Sequence, residues 1–407
     1  MGFYPLKGDK FLMEDRFVYA DNAATTPIDP RVLEKMMPFL TTEYGNASTL
    51  YSLGHSSHDA MEEARKEVAL LMNAEPGEIY FTGCGSESDN MALRGWMHSK
   101  QNKGKKHLIT TAIEHHAILH TAQALEKEGF EVTYLPVDKH GMVELDVLEK
   151  AIRPDTAMVS IMFANNEIGT INPIAEIGKL CKEKGVIFHT DAVQAYGHVP
   201  VDVKAMNIDI LSISGHKINA PKGVGAIYIR KGVLLNQLIT GGGQEKGRRA
   251  GTENIASIVG LGEAARIKRE TMEEETAYLR KLSRKLIDGV TKFPQTILTG
   301  HPEQRLPGTC SFCINAIEGE SLVLMLDFNG ICASTGSACS TGSLDPSHVL
   351  LGIGLSHEIA HGSLRLTLGM QNTEEDVDYI LERLEQVVKT LRAMSPIWHE
   401  FEEEIEI

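Results

Sequence analysis

Between about residues 60 and 230 short apolar runs alternate with longer segments of helical period. This pattern constrains the fold more than any other feature of the chain. Parallel strands cannot be joined by tight turns and need a crossover, so strand and helix must take turns along the sequence. The strand-like runs lie at 107–111, 131–137, 157–163, 186–190, 210–214 and 225–229, with helical stretches such as 117–127 and 174–184 between them. The pattern predicts an α/β domain with a mostly parallel sheet covered by helices.

At 407 residues the chain exceeds what one hydrophobic core usually serves, so a second domain is expected. Gly241-Gly242-Gly243 opens a glycine-rich loop, and a charged helical stretch follows near 263–290. The remainder reads as a compact α+β unit, with strands at 309–314 and 363–368, a short helix at 321–329, a small-residue loop at 333–343 and a final helix. That helix has a legible entrance, with Thr373 as N-cap, Asp376 three residues on, and Glu374 and Glu375 in the first turn.

A formal charge of −15 works against binding to nucleic acid, because an acidic surface lacks the cations that displace backbone counterions. Six cysteines without a paired pattern fit free thiols in a reducing compartment. No apolar run approaches the ~20 residues that span a bilayer, and residues 1–17 resemble neither a signal nor a transit peptide. The expectation is a soluble cytoplasmic protein.

Ligands in open α/β sheets bind beyond the carboxyl ends of the strands. Lys217, in Ser214-Gly215-His216-Lys217, follows the run at 210–213, and Asp191 follows the run at 186–190. A partly desolvated lysine there can form a Schiff base with an aldehyde, and a carboxylate can hold a proton on a pyridine ring. Taken singly, each has an ordinary reading, a solvated loop lysine and a helix N-cap. Thr82-Gly83-Cys84-Gly85-Ser86-Glu87-Ser88-Asp89 reads as a strand-to-helix turn whose backbone N–H groups suit a phosphate. It is no dinucleotide fingerprint, because Ser88 stands where the third glycine belongs.

His115 belongs to the same ligand edge, where an imidazole can stack on a flat cofactor. Arg365 is a charge inside an apolar strand, suited to a carboxylate or else facing water. Cys339 sits in a run of small residues, Ser334 to Ser343, either a nucleophile in an exposed, mobile loop or a tolerated surface thiol. Cys310-x-x-Cys313 is followed by Cys332 and Cys339 at the wrong spacing for zinc, and within a strand the first pair faces opposite sides.

Together these segments resemble the cysteine desulfurases of the NifS/IscS group, pyridoxal-phosphate (PLP) enzymes of the aspartate-aminotransferase fold, fold type I. The resemblance runs nearly the whole chain. Its landmarks are Asp21-Asn22-Ala23-Ala24-Thr25-Thr26-Pro27, Asn165-Asn166-Glu167-Ile168-Gly169, His189-Thr190-Asp191-Ala192-Val193-Gln194, Ser212-Ile213-Ser214-Gly215-His216-Lys217, Arg249-Ala250-Gly251-Thr252-Glu253-Asn254, Gly336-Ser337-Ala338-Cys339 and Ser363-Leu364-Arg365.

The resemblance implies a large PLP-binding domain over 27–261 and a small domain from 1–26 and 262–407 that carries the cysteine loop at 333–343. It makes Lys217 the Schiff-base lysine, Asp191 the pyridinium partner, Gln194 the donor to the phenolic oxygen and His115 the stacking residue. Gly85, Ser86, Ser214 and His216 would hold the phosphate. Thr252 would reach the phosphate of a neighbouring subunit, which implies a homodimer. Asn166 and Arg365 would bind the carboxylate of L-cysteine, and Cys339 would take its sulfur as a persulfide while alanine leaves. An iron–sulfur scaffold or another sulfur acceptor is the implied partner. No resident metal is implied, although Cys339 is placed to share an iron–sulfur cluster with such a scaffold.

Four positions depart from the family pattern: Ala47, Tyr51, Cys84 and Lys246. Selenocysteine lyase, another PLP enzyme or a catalytically silent scaffold remain as rival readings.

Overall fold

The computed structural model describes residues 16–336 and 346–398, so Cys339 lies outside the described residues. After β1 (Val18–Tyr19) come two helices, α1 (Pro30–Thr41) and α2 (Ser52–Leu70). The alternating region then runs β2 (Ile79–Thr82), α3 (Gly85–Met97), β3 (His107–Thr111), α4 (His116–Lys127), β4 (Glu131–Leu135), α5 (Leu145–Ala151), β5 (Thr156–Ser160), α6 (Ile174–Lys184), β6 (Ile187–Asp191), β7 (Ile210–Ser214) and β8 (Gly225–Ile229). A distorted single turn, α7 (Gln244–Gly247), precedes the long α8 (Ile255–Val290).

These strands form one seven-stranded sheet in the order β2-β8-β7-β6-β5-β3-β4. Strands β7, β6, β5, β3 and β4 are parallel, and β8 runs antiparallel to both β7 and β2. The expected mostly parallel sheet is there. The exception has a length argument behind it, because residues 218–224 are too few for a crossover helix.

The strands are apolar on both faces because both faces are covered. Leu108, Met158 and Ile210 pack with Trp96 of α3 and Ile118 of α4, while their neighbours Ile109, Val159 and Leu211 pack on the other side with Ile177 of α6 and Leu261 of α8. Each such side chain contributes about 1.5–3 kcal/mol relative to exposure, so a one-residue slip would exchange the two cores and is strongly disfavoured.

The rest of the chain forms β9 (Thr296–Leu298), β10 (Thr309–Ile314), α9 (Gly319–Phe328), β11 (Ile331–Cys332), α10 (His348–Gly352), α11 (His357–His361), β12 (Ser363–Thr367) and α12 (Glu374–Met394). A three-stranded antiparallel sheet has the order β12-β10-β9, and β1 pairs with β11 in parallel in a separate two-stranded sheet. The entrance of α12 is a reciprocal capping box between Thr373 and Asp376.

Helix α8 serves both cores. Ile258 to Ile267 pack into the large core, and Leu279 to Val290 into the small one with Phe312, Leu364 and Ile380. The expected division at 261/262 falls inside this single helix, whose change of core comes between Ile267 and Leu279.

Candidate active site

Strands β6 and β7 are parallel neighbours with Asp191 opposite Ser212. Asp191 is the last residue of β6, and Ser214 ends β7 just before the short turn Gly215–Lys217. A carboxylate and an amine therefore leave adjacent strands at the same edge. Asp191 Oδ1 accepts from Val193 N–H at 2.9 Å. Burial raises its pKa to about 6, against the pull of that N–H and of the Lys217 charge.

The facing wall is the segment from Asp21 to Thr25. Lys217 Nζ donates to the carbonyls of Ala23 (2.6 Å) and Ala24 (2.8 Å), and Gln194 Nε2 donates to Ala23 O at 3.0 Å. His216 Nδ1 lies 3.1 Å from Thr25 Oγ1. The Lys217 charge is felt at Asp191, His115 and His216, so one ammonium acts on all three.

His115 caps α4, its Nδ1 accepting from Ala117 N–H at 3.1 Å. An acceptor at Nδ1 puts the ring proton on Nε2. Burial first, then the Lys217 charge, lower this imidazole to about 4, so it is neutral at physiological pH. With Ser86, Asn90 and His116 it lines an open depression at the head of α3 and α4.

The turn from β2 into α3 has glycine where the backbone must come close. A Cβ on Gly85 would meet Val193 Cγ2 at 2.8 Å. Glu87 accepts from Gly83 N–H at 2.8 Å and from Arg249 Nε at 2.9 Å, tying the glycine-rich segment to this turn. Ser86 and Thr252 are exposed and Ser214 is buried. Cys84, also exposed, is the N-cap residue of α3.

Arg365 does not face water. Only 3% exposed, it donates from Nη2 to Asp21 Oδ1 (2.9 Å) and from Nη1 to Asn166 O (3.0 Å), while its Nε has no partner among the described residues. Its backbone pairs with Ser334, so the arginine and the stem of the cysteine loop share one ladder. Cys310 and Cys313 face different cores, as strand geometry requires.

Four acidic residues at or around this edge have a placement that the sequence does not mark, although Asp21 and Glu167 stand within the family landmarks. Asp21 anchors Arg365, Glu167 is buried against Ser347, and Glu114 and Asp89 are buried near Asp191. Asp89 is 1% exposed; its Oδ1 has no hydrogen-bond partner among the described residues and lies 3.8 Å from His189 Nε2. In the sequence these residues look like ordinary helix and loop acids.

The donor set suits pyridoxal phosphate. An aldehyde needs the Lys217 amine, a pyridine nitrogen needs a carboxylate such as Asp191, and a phosphate needs backbone N–H groups, which the start of α3 at Gly85 presents.

A family profile described as Aminotransferase class-V matches residues 18–380. A protein named cysteine desulfurase IscS from Methanosarcina thermophila is 55% identical over 397 residues, 98% of each chain. One of the same name from Clostridium botulinum is 57% identical over 387 residues, 94% of this chain and 97% of its own. Among solved structures, a NifS-like protein aligns with a TM-score of 0.87 at 40% identity, over 92% of this chain and all of its own. A NifS-like protein from Rickettsia africae aligns at 0.84 and 31% identity, with the same coverage.

Proposed function

The chain belongs to the class-V aminotransferase family as one of its cysteine desulfurases, and from that premise we propose that Lys217, Asp191, His115, Arg365 and Cys339 perform the reaction. The observation that carries the proposal is the meeting of amine and carboxylate at the ends of β6 and β7, beside a buried arginine with a spare donor.

Pyridoxal phosphate, when bound, supplies the aldehyde for Lys217 and a ring that takes up the electrons released at the substrate α-carbon. Gly85, Ser86, Ser214 and His216 would hold its phosphate, and Gln194 its phenolic oxygen. Asp191, largely ionised near neutral pH, holds the proton on the ring nitrogen. Lys217 Nζ takes the α-proton of cysteine and returns it. Arg365, with Asn166 beside it, grips the substrate carboxylate in a buried setting where a charge-assisted bond is worth more than at the surface. His115 keeps its proton on Nε2 and can give or take one near the substrate sulfur. Cys339, as thiolate, attacks that sulfur; the S–S bond forms as the substrate's C–S bond breaks, the C–S electron pair stays on the substrate β-carbon, which is then protonated, and alanine leaves while Cys339 keeps the sulfur as a persulfide.

Exposed Thr252, tethered near the phosphate turn through Arg249 and Glu87, supports a homodimer in which it serves the second subunit. The persulfide would pass in the cytoplasm to an iron–sulfur scaffold or another sulfur acceptor. The test is an assay of alanine and sulfide from L-cysteine with pyridoxal phosphate. Wild type should make both, and Cys339→Ser should bind cysteine without forming persulfide. Undiminished sulfide release from Cys339→Ser would remove Cys339 from its role.

A further inference from the structure

Glu167 follows β5 in the loop that also carries Asn166, and it is only 6% exposed. Its Oε2 accepts a hydrogen bond from the Ser347 hydroxyl. A Cβ built on Gly336 would lie 2.7 Å from the same oxygen. Gly336 and Ser347 flank the segment that contains Cys339, so one carboxyl oxygen is bonded to the chain on one side of it and leaves no room for a side chain on the other.

The base of this contact is rigid. Glu167 N–H donates to Asn165 Oδ1 at 2.9 Å, and Asn165 donates in turn to Ile113 O at 3.0 Å, deep in the sheet. One residue away, Asn166 O takes the Arg365 guanidinium, whose charge also reaches Glu167. Gly336 N–H is held by Ser363 Oγ at 3.4 Å, on the strand of Arg365. An acid buried only to fill space is a poor choice, because a carboxyl is costly to desolvate and an apolar side chain is not.

We propose that Glu167 is a positioning residue for sulfur transfer, bonded through Ser347 to one of the chain ends that flank Cys339 and packed close to Gly336 on the other, beside Arg365. The inference rests on the reading of Cys339 as sulfur acceptor. Substrate binding is left to Arg365, so loss of Glu167 affects turnover and not affinity. Misplacing a reacting group by about 1 Å costs on the order of 100-fold, which sets the scale.

The test uses the holoenzyme and four variants. Glu167→Ala should lower kcat for alanine release by about 10- to 100-fold with KM within about 3-fold of wild type. Glu167→Gln keeps an oxygen for Ser347 and should return kcat to within about 3-fold. Gly336→Ala, whose Cβ displaces the carboxyl, should lower kcat in the same direction, and it carries the test if Glu167→Ala does not fold.

A second readout needs no cofactor: in apo protein, the rate of iodoacetamide labelling at Cys339 relative to Cys84 should rise in Glu167→Ala and not in Glu167→Gln. Equal losses in kcat and KM, failure of Glu167→Gln to rescue, or a neutral Gly336→Ala would overturn the proposal. Cys339→Ser separates the two readings. If it stays active, the acceptor assignment fails; if it is dead while Glu167→Ala and Gly336→Ala are unimpaired, only the role of Glu167 fails.

Discussion

Two buried arginines, Arg65 in α2 and Arg365 in β12, are 2% and 3% exposed, yet their surroundings differ. Arg65 has every nitrogen engaged. Nε donates to Glu62 (2.9 Å), Nη1 to Ile79 O and Glu245 Oε2, Nη2 to Glu245 Oε1, and the guanidinium lies over the Phe81 ring. Glu245 in turn takes Phe81 N–H at 2.8 Å. Arg365 has two nitrogens engaged and one donor without a partner among the described residues. A closed network serves architecture, while a buried donor left over beside the β6–β7 edge is available to a ligand.

The closed network has a visible task. Glu245 and Lys246 stand at φ 46° and 55°, the left-handed region, which costs non-glycine residues of order 1–3 kcal/mol each. Pairing with Arg65 offsets that strain and fixes the glycine-rich segment that carries Arg249 and Thr252.

Substitutions in the two regions should therefore fail differently. The largest effect is expected at the site edge. Lys217→Ala should lower alanine production by at least about 1,000-fold, because no other group supplies the amine, while urea unfolding stays near wild type. Substantial turnover in this variant would break the distinction at its root.

Next comes the closed region, where Arg65→Ala leaves Glu245 buried without its counter-charge. Apo protein should lose about 3–5 kcal/mol in urea unfolding, and the folded fraction should keep its cysteine KM. A raised KM with normal stability would mean that Arg65 belongs to the site.

Arg365→Ala should raise the cysteine KM by about 10- to 100-fold, the worth of a charge-assisted bond of roughly 1.5–3 kcal/mol. Arg365→Lys keeps the charge but loses the fork, and should fall between.

The smallest effect tests Glu114, which combines both conditions. Its Oε1 accepts from Thr111 and Met162, and its Oε2 has no partner among the described residues. Burial raises this carboxyl to about 8. A raised folded-state value means that its stabilising proton is fully present below the unfolded value near 4.5 and is lost as pH rises through about 8. Apo wild type should lose stability across that window, and Glu114→Gln should lose less; parallel profiles would show that Glu114 is ionised throughout.

The same contrast explains what could be read beforehand. Strand positions, the Thr373–Asp376 box and the location of Lys217 and Asp191 at strand ends are local matters, set by residues within a few positions of one another. The direction of β8 was also within reach, through the short connection at 218–224. By contrast, the charged stretch that marks α8 in the sequence begins near 263 whereas the helix starts at Ile255, because its first turns are apolar on nearly all sides and carry no amphipathic signal. Arg365 had two open readings until Asp21, 344 residues away, was found against it. The burial of Glu167, Asp89 and Glu114 has no local mark in the sequence, since it depends on what the rest of the chain lays over each acid.

The sequence by itself determined the alternation of strand and helix, the sheet's ligand edge and the residue types available there, because periodicity and capping act over one or two turns of chain. Only the tertiary structure decided which buried charges are fully partnered and which keep a vacant donor or acceptor. That distinction arises from contacts between segments hundreds of residues apart, where exclusion of water, not local preference, sets the cost of leaving a polar group alone.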